Sequence, residues 1–421
     1  MHSGIATMQD SAELGQAHHL ANVPRIAIQA FCETSEVASM IETSARDRRM
    51  DKVHLKVQMG GAHAAAEVYR TAATPNLIIL EYAQGDGRKL LASLDELAES
   101  CDSGTKVVVI GHVNDVVLYR DLLRRGISDY LIAPISPIDF IRAVSELYNA
   151  PGADPVGRTI AVIGAKGGVG ASTISHNLAW AISRGLATST VIADLDLPFG
   201  TAGLDFNQDP PQGIAEAVFS PERLDAAFLD RLLSKCSEQL SLLAAPATLD
   251  RLYDFGETSF DAVIDILRAS TPCIVLDMPH QWTAWSRRML IGADDIVIVA
   301  APDLANLRNA KVLMDNLRHA RINDRRPKLV LNMQGMPKRP EISAVEFAKA
   351  LDCDAAAVFP FDPQLFGTAA NNGQMIAEVQ ANGKITDNFQ ELARMLVGKG
   401  ETKKASKSLL APLLSRLKAK A

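Results

Sequence analysis

The stretch from Arg158 to Leu186 constrains this chain more than any other, because its apolar period changes once, around a cluster of glycines. Arg158-Thr-Ile-Ala-Val-Ile-Gly164 is a short apolar run rich in β-branched residues, which predicts a buried parallel strand. From Ser172 to Leu186, the residues Ile174, Leu178 and Ile182 recur four apart on one helical face, and Gly185 is a stop signal. Between the two lies Gly164-Ala165-Lys166-Gly167-Gly168-Val169-Gly170-Ala171-Ser172-Thr173. A glycine-rich turn between a strand and a helix start can bring several backbone N–H groups onto one anion, and the helix N-terminus adds partial positive charge. The run Gly167, Gly168, Val169, Gly170, Ala171, Ser172 and Thr173 therefore predicts a phosphate cradle. Ser172 is placed to offer its hydroxyl to Mg²⁺, and Thr173 to hydrogen-bond a phosphate.

Against the general pattern GxxxxGK[ST] the loop fails twice, since Ala165 replaces a glycine and Ala171 replaces the lysine. Lys-Gly-Gly-Val-Gly-x-[ST]-[ST] instead resembles the deviant Walker ATPases of the ParA/MinD group, and three further motifs follow in that group's order. Val191-Ile-Ala-Asp194-Leu-Asp196 resembles the group's switch I region, which implies that Asp196 orients attacking water and Asp194 supports the Mg²⁺ shell. Cys273-Ile-Val-Leu-Asp277 is a strand that delivers one carboxylate, and a hard cation that keeps several waters predicts that Asp277 acts through water. Lys328-Leu-Val-Leu-Asn332 ends on the asparagine that reads adenine in the group. Phe359-Pro360-Phe361-Asp362-Pro363 resembles the loop that closes over the base. The residues alone also allow Asp194 and Asp196 as loop caps and Asn332 as an ordinary loop asparagine.

The resemblance implies ATP/ADP and Mg²⁺ as cofactors and an ATP-dependent homodimer in which Lys166 reaches the partner's nucleotide. Ala171 removes the group's second lysine, which contacts phosphates within its own subunit. Losing one positioned donor costs very roughly 3–4 kcal/mol of barrier, about two to three decades in rate. A slow ATPase, with Lys166 and Asp196 as its catalytic residues, is therefore the expectation. With further strands predicted at Leu240–Ala245 and Asp295–Ala300, residues 158–398 read as a doubly wound, mostly parallel P-loop NTPase domain.

Residues 23–149 follow another rhythm. Arg25–Phe31, Val53–Gln58, Asn76–Tyr82, Lys106–His112 and Asp129–Ala133 are strand candidates with helical patterns between them, such as Val116-Val117-Leu118 with Leu122-Leu123. Five strands alternating with helices predict a flavodoxin-like α/β sheet. Gly126-Ile-Ser-Asp-Tyr-Leu-Ile-Ala-Pro134 resembles the last strand of a response-regulator receiver. The receiver's chemistry is missing. Ala30-Phe31-Cys32-Glu33 stands where paired acids belong, Glu81 replaces the phosphoacceptor aspartate, Gly111 the hydroxyl residue and Ala133 the lysine. A degenerate, docking or dimerising domain without phosphotransfer is expected. Glu81 is read as the remnant of a dead site, with mimicry of the phosphorylated state as the alternative.

The chain has 421 residues, 48% of them apolar and 22% charged, as in an ordinary soluble protein of two or three domains. No apolar run approaches the roughly 18–20 residues that span a bilayer. Residues 1–22 are small and polar, read as a disordered leader, and they lack the form of a secretory signal. Cys32, Cys101, Cys236, Cys273 and Cys353 are scattered and predict buried thiols in a reducing cytoplasm. Residues 150–157 are a Pro/Gly-rich linker. Residues 399–421 are basic, with Leu409, Leu410, Leu413, Leu414 and Leu417 at helical spacing. Such a tail suits an anionic membrane surface or packing on protein. The net charge of −6 gives no global attraction to nucleic acid, and no specific nucleic acid is expected.

A dead receiver-like domain joined to a ParA/MinD-type ATPase resembles the CpaE/TadZ family of Flp (Tad) pilus assembly proteins. Leu242-Leu-Ala-Ala-Pro246 and Phe366-Gly-Thr-Ala-Ala-Asn-Asn372 also fit it. The resemblance implies a cytoplasmic protein, peripheral at the inner membrane or cell pole, that positions the pilus secretion ATPase and inner-membrane platform proteins. Three other readings stay open at this point: a DNA-partitioning ATPase, a MinD- or flagellar-number-type spatial regulator, and an interaction protein that binds no ATP.

Overall fold

The computed structural model describes residues 20, 22–24, 26–70, 72–84, 87–98, 101, 104–148, 157–246 and 248–397. The expected leader (except residues 20 and 22), the linker (except residue 157) and the basic tail lie outside the described residues. The chain divides into two compact units, Met1–Pro155 with Leu317–Arg325, and Val156–Asn316 with Arg326–Ala421.

In the first unit, β1 (Ala27–Cys32), β2 (His54–Met59), β3 (Leu77–Tyr82), β4 (Lys106–Gly111) and β5 (Asp129–Ile132) form a sheet in the order β2-β1-β3-β4-β5. Every pairing is parallel, and the order is that of flavodoxin-like folds. Helices α1 (Ser35–Ser44), α2 (Gly61–Tyr69), α3 (Gly87–Ala98), α4 (Val116–Arg124) and α5 (Pro137–Tyr148) follow the strands in turn. All of β3 is buried, as a continuous apolar run in a central strand should be, whereas β2 at the edge is largely exposed. The period-two alternation of β1 feeds two cores. Ile28, Ala30 and Cys32 pack with Ile41 and Phe140 on one face, and Phe31 packs with Tyr69, Leu94 and Leu122 on the other. The segment Leu317–Arg325 is held in this unit by Asp324, which accepts from Arg48 at 2.8 Å, Arg49 at 2.5 Å and Arg321 at 3.0 Å.

The second unit contains β6 (Arg158–Gly164), β7 (Thr190–Asp194), β8 (Ser234–Ser237), β9 (Leu240–Leu243), β10 (Cys273–Met278), β11 (Asp295–Ala300), β12 (Lys328–Gln334) and β13 (Ala355–Pro360). Their order is β13-β12-β11-β6-β10-β7-β9-β8, all parallel except the β8–β9 edge pair. β13 was not expected, and it takes in Phe359 and Pro360, which the sequence reading placed in a loop. Nor was the strand β8 expected. Its sequence Ser-Lys-Cys-Ser has no apolar run, so only its pairing with β9 specifies it. Helices that matter below are α6 (Ala171–Trp180), α7 (Ala202–Asp205), α8 (Leu304–Ala320), α9 (Pro363–Asn372) and α10 (Lys384–Val397). The helix expected to run to Leu186 is α6 followed by a π-helical turn, Ala181–Gly185.

β6 lies between β10 and β11, so the chain passes from β10 to β11 across it. That makes the C-terminal end of β6 a topological switch point, where open α/β sheets leave a crevice.

Candidate functional site

The glycine loop grows out of that switch point and is held at its root from three sides. Ala165 N–H donates to the Val299 carbonyl at 2.7 Å, Asn309 Nδ2 donates to the Ala165 carbonyl at 2.9 Å, and His280 Nδ1 lies 2.9 Å from the Gly164 carbonyl. His280 and Asn309 also line a cavity of about 300 Å³ with Trp282 and Arg308. Lys166, Gly167 and Gly168 are exposed, while Val169 is buried as a plug beneath them. Gly168 and Gly170 have φ of 78° and 81°, the left-handed region that L side chains avoid. At Gly170 space is also short, since a Cβ would stand 2.6 Å from Asn332 Nδ2. Left-handed glycines at the entry to a helix are the setting in which N–H groups converge on an anion. Ala171, Ser172 and Thr173 form the first turn of α6 and are half-buried. Lys166 makes no ion pair among the described residues, yet its charge reaches Asp303. Burial pushes the Asp303 carboxyl up, but hydrogen bonds from Asn306 and the charges of Lys166 and Arg339 outweigh this and hold it low.

The acids arrive on neighbouring strand ends. Asp277 of β10 is in register with Asp194 of β7, and both are 1% exposed. Asp194 is committed to the loop beyond it, accepting from Asp196 N–H and Ala202 N–H at 3.1 Å each. Burial and then the charge of Asp277 push the Asp194 carboxyl up, against the opposite pull of His176. Asp196 is raised as well, mainly by burial. One oxygen of Asp277 and one of Asp196, Oδ1 in each, are buried without a hydrogen-bond partner. Buried polar atoms are normally satisfied, so these orphans point to something absent. Asp277 and the Ser172 hydroxyl offer oxygen ligands of the kind that Mg²⁺ and its waters require, while among the described residues no group of three or more acids, histidines or cysteines is arranged to hold a metal by itself. The oxygen chemistry fits Mg²⁺, with Ser172 and Asp277 as the residues that would hold it and Asp194 as the acid that would support the shell.

His176 and Asp205 belong to this cluster and were missed by the sequence reading. His176 is fully buried, with Nδ1 2.7 Å from Asp205 Oδ2 and Nε2 3.2 Å from Asp277 Oδ2. Burial alone would lower its pKa, but the two carboxylates outweigh that and raise it to about 10. A signal was available, because His176 follows Ser172 by four residues and so shares its helical face.

The remaining expected residues are spread over neighbouring elements. Asn332, on β12, donates from Nδ2 to the Val169 carbonyl at 2.9 Å, so its amide braces the glycine loop. Pro360 ends β13, and Asp362 caps α9 by accepting from Leu365 N–H at 2.9 Å.

In the first unit, Glu81 sits where the receiver comparison placed the phosphoacceptor, and it is fully engaged. Its carboxylate accepts from Thr34 Oγ1 at 2.6 Å, Thr34 N–H at 2.9 Å and Glu33 N–H at 2.8 Å, and lies 2.9 Å from His112 Nε2. Burial would raise this carboxyl, but those hydrogen bonds together hold it below its ordinary value. At Gly111 a Cβ would stand 2.0 Å from Tyr130 Oη, so the tyrosine occupies the place of the missing hydroxyl residue.

A crystal structure of a pilus assembly protein CpaE from Caulobacter crescentus matches the N-terminal part of the chain with 48% identity. The match covers 30% of this chain and 97% of that one, with a TM-score of 0.30. The shared residues, rather than the superposition, carry the relationship. The chain belongs to the CpaE family. The second unit is of ParA/MinD type. Septum site-determining protein MinD of Thermotoga maritima is 25% identical over 251 residues, 58% of this chain and 90% of that protein. The fold is shared with the MinD of Pyrococcus horikoshii, solved in complex with Mg-ADP, at 19% identity and a TM-score of 0.51. That match covers 57% of this chain and 95% of that one. No protein-family model matches the chain.

Proposed function

We propose that this member of the CpaE family is an ATP-binding, ATP-dimerised pilus assembly factor that hydrolyses ATP slowly and positions the pilus machinery. The observation that carries the reading is the pair of left-handed glycines beside buried, unpartnered carboxylate oxygens, in a loop that has Lys166 exposed and lacks a lysine at Ala171. Relatives described as pilus assembly protein CpaE and as MinD bound to Mg-ADP support it.

In this reading the backbone of Gly167 to Thr173 cradles the phosphates of ATP or ADP, and Asn332, Pro360 and Asp362 border the base. Ser172 and Asp277, with Asp194 supporting the shell, would hold Mg²⁺, which would supply charge neutralisation at the phosphates. Asp194 fixes the loop from Asp196 to Ala202 through its two backbone hydrogen bonds. Asp196, half-buried with one unpartnered oxygen, orients the attacking water. Lys166 reaches the nucleotide of a second copy. Among the described residues no lysine or arginine side chain hydrogen-bonds the acids of this site in place of the donor lost at Ala171, so turnover is slow, while binding rests on backbone N–H groups, Mg²⁺ and Lys166. The partners are the pilus secretion ATPase and inner-membrane platform proteins, and the basic tail 399–421 meets an anionic membrane surface.

Titration with a fluorescent ATP analogue tests the reading. Saturable binding that strengthens with Mg²⁺ is expected, and absence of saturable binding overturns it.

A further inference from the structure

The ring of His176 is held at both nitrogens by oxygens of acids, Asp205 at 2.7 Å and Asp277 at 3.2 Å, with Phe206 packed against it at a centroid distance of 5.6 Å. Both ring nitrogens are thus engaged by carboxyl oxygens, so the ring cannot turn without breaking a contact. This contact gives the two oxygens of Asp277 different fates. Oδ2 is spent on His176, while Oδ1 is buried and unpartnered. Fixing one oxygen fixes the plane of the carboxylate and so the direction in which the other is offered. Ligating carboxylates are usually oriented in this way by a hydrogen-bonded outer shell.

The same histidine ties Asp277 to α7. Asp205 is the last residue of that helix, and its first residue, Ala202, donates its N–H to Asp194. One short helix is thus fastened to both strand-end acids, through its backbone to Asp194 and through His176 to Asp277. It directly follows the loop that carries Asp196, so a shift of Asp277 is felt at both ends of the loop Asp194–Ala202.

We propose that His176 is a positioning residue for the divalent cation, presenting Asp277 Oδ1 to it and linking its occupancy through Asp205 to α7 and the Asp196 loop. The inference rests on the nucleotide-and-magnesium reading above and deepens it.

The test compares ADP affinity in Mg²⁺ and in EDTA for the full chain, His176→Gln and Asp205→Asn. Binding in Mg²⁺ should exceed binding in EDTA for the unaltered chain. In His176→Gln that enhancement should fall by roughly tenfold or more, the usual effect of losing an outer-shell partner, while affinity in EDTA stays within about twofold. Asp205→Asn should shift the enhancement in the same direction, and it carries the test if His176→Gln fails to fold. An enhancement that survives in the variants overturns the role of His176 and leaves the nucleotide reading standing. Equal losses in Mg²⁺ and EDTA mean a merely structural histidine and also overturn it. Failure of the unaltered chain to bind ADP at all overturns the nucleotide reading, and this inference with it.

Discussion

Ala171 opens α6 at the position where the ParA/MinD pattern carries a lysine, and among the described residues no lysine or arginine side chain hydrogen-bonds the acids of this site. Restoring the donor with Ala171→Lys should raise ATP hydrolysis by about two to three decades, read by phosphate release under saturating ATP and Mg²⁺. Unchanged turnover would mean that something other than this lysine limits the rate. Glu81 offers the second prediction at this scale. Its folded-state carboxyl is held below the ordinary value of 4.5, so its contribution to stability is complete above that pH. The contribution disappears as pH falls from about 4.5 through the lower folded value. Denaturation midpoints measured from pH 6 downwards should therefore fall more steeply for the unaltered chain than for Glu81→Gln. Parallel profiles would remove Glu81 from the acid response. The hydrogen bonds also revise its standing, from a leftover at a dead site to a staple that joins β3 to the start of α1 and to His112.

At the scale of elements, α10 shows how a sequence pattern becomes a packed layer. Ile385, Phe389, Leu392, Ala393 and Leu396 recur at helical spacing and are its buried face. Phe389 lies 4.3 Å, centroid to centroid, from Phe359 of β13, and Leu392 is 0% exposed. Burying a side chain of that size contributes about 1.5–3 kcal/mol, and deleting it also leaves a cavity. Leu392→Ala should cost roughly 2–5 kcal/mol in chemical denaturation. A loss under about 1 kcal/mol would show that the helix is not part of this core. A helix period of this kind is legible in a sequence because it is written in residues three and four apart. The edge strand β8 was not, since four small and polar residues carry no period, and the backbone of β9 supplies the reason to be extended. The break of α6 into a π-helical turn was equally invisible, because Gly185 marks an end without saying how the last turn is wound.

At the scale of the whole molecule, family membership and the exposed Lys166 lead to one expectation. Lys166→Ala should remain monomeric in ATP and Mg²⁺, in sedimentation velocity, where the unaltered chain is expected to dimerise, and a variant that still dimerises would remove Lys166 from the subunit interface. Much of the molecule could be read in advance. Apart from β8 and β13, the apolar runs named the strands to within a residue or two, and the glycine cluster and the strand-end acids Asp194 and Asp277 could be picked out, because these are properties of neighbours along the chain. Strand order and side-chain partnership are not. His176 meets Asp277 from 101 positions away, Asn332 meets Val169 from 163, and Thr34 meets Glu81 from 47. Each pair exists only because elements distant in sequence meet beside the parallel strands of a sheet, so that polar groups share the same few ångströms. The sequence by itself determined two α/β units and a phosphate-type loop lacking its lysine. Only the tertiary structure decided which acids are spent on backbone, which oxygen is left unpartnered, and that a buried histidine holds Asp277 in place, because hydrogen bonds are settled by proximity in space.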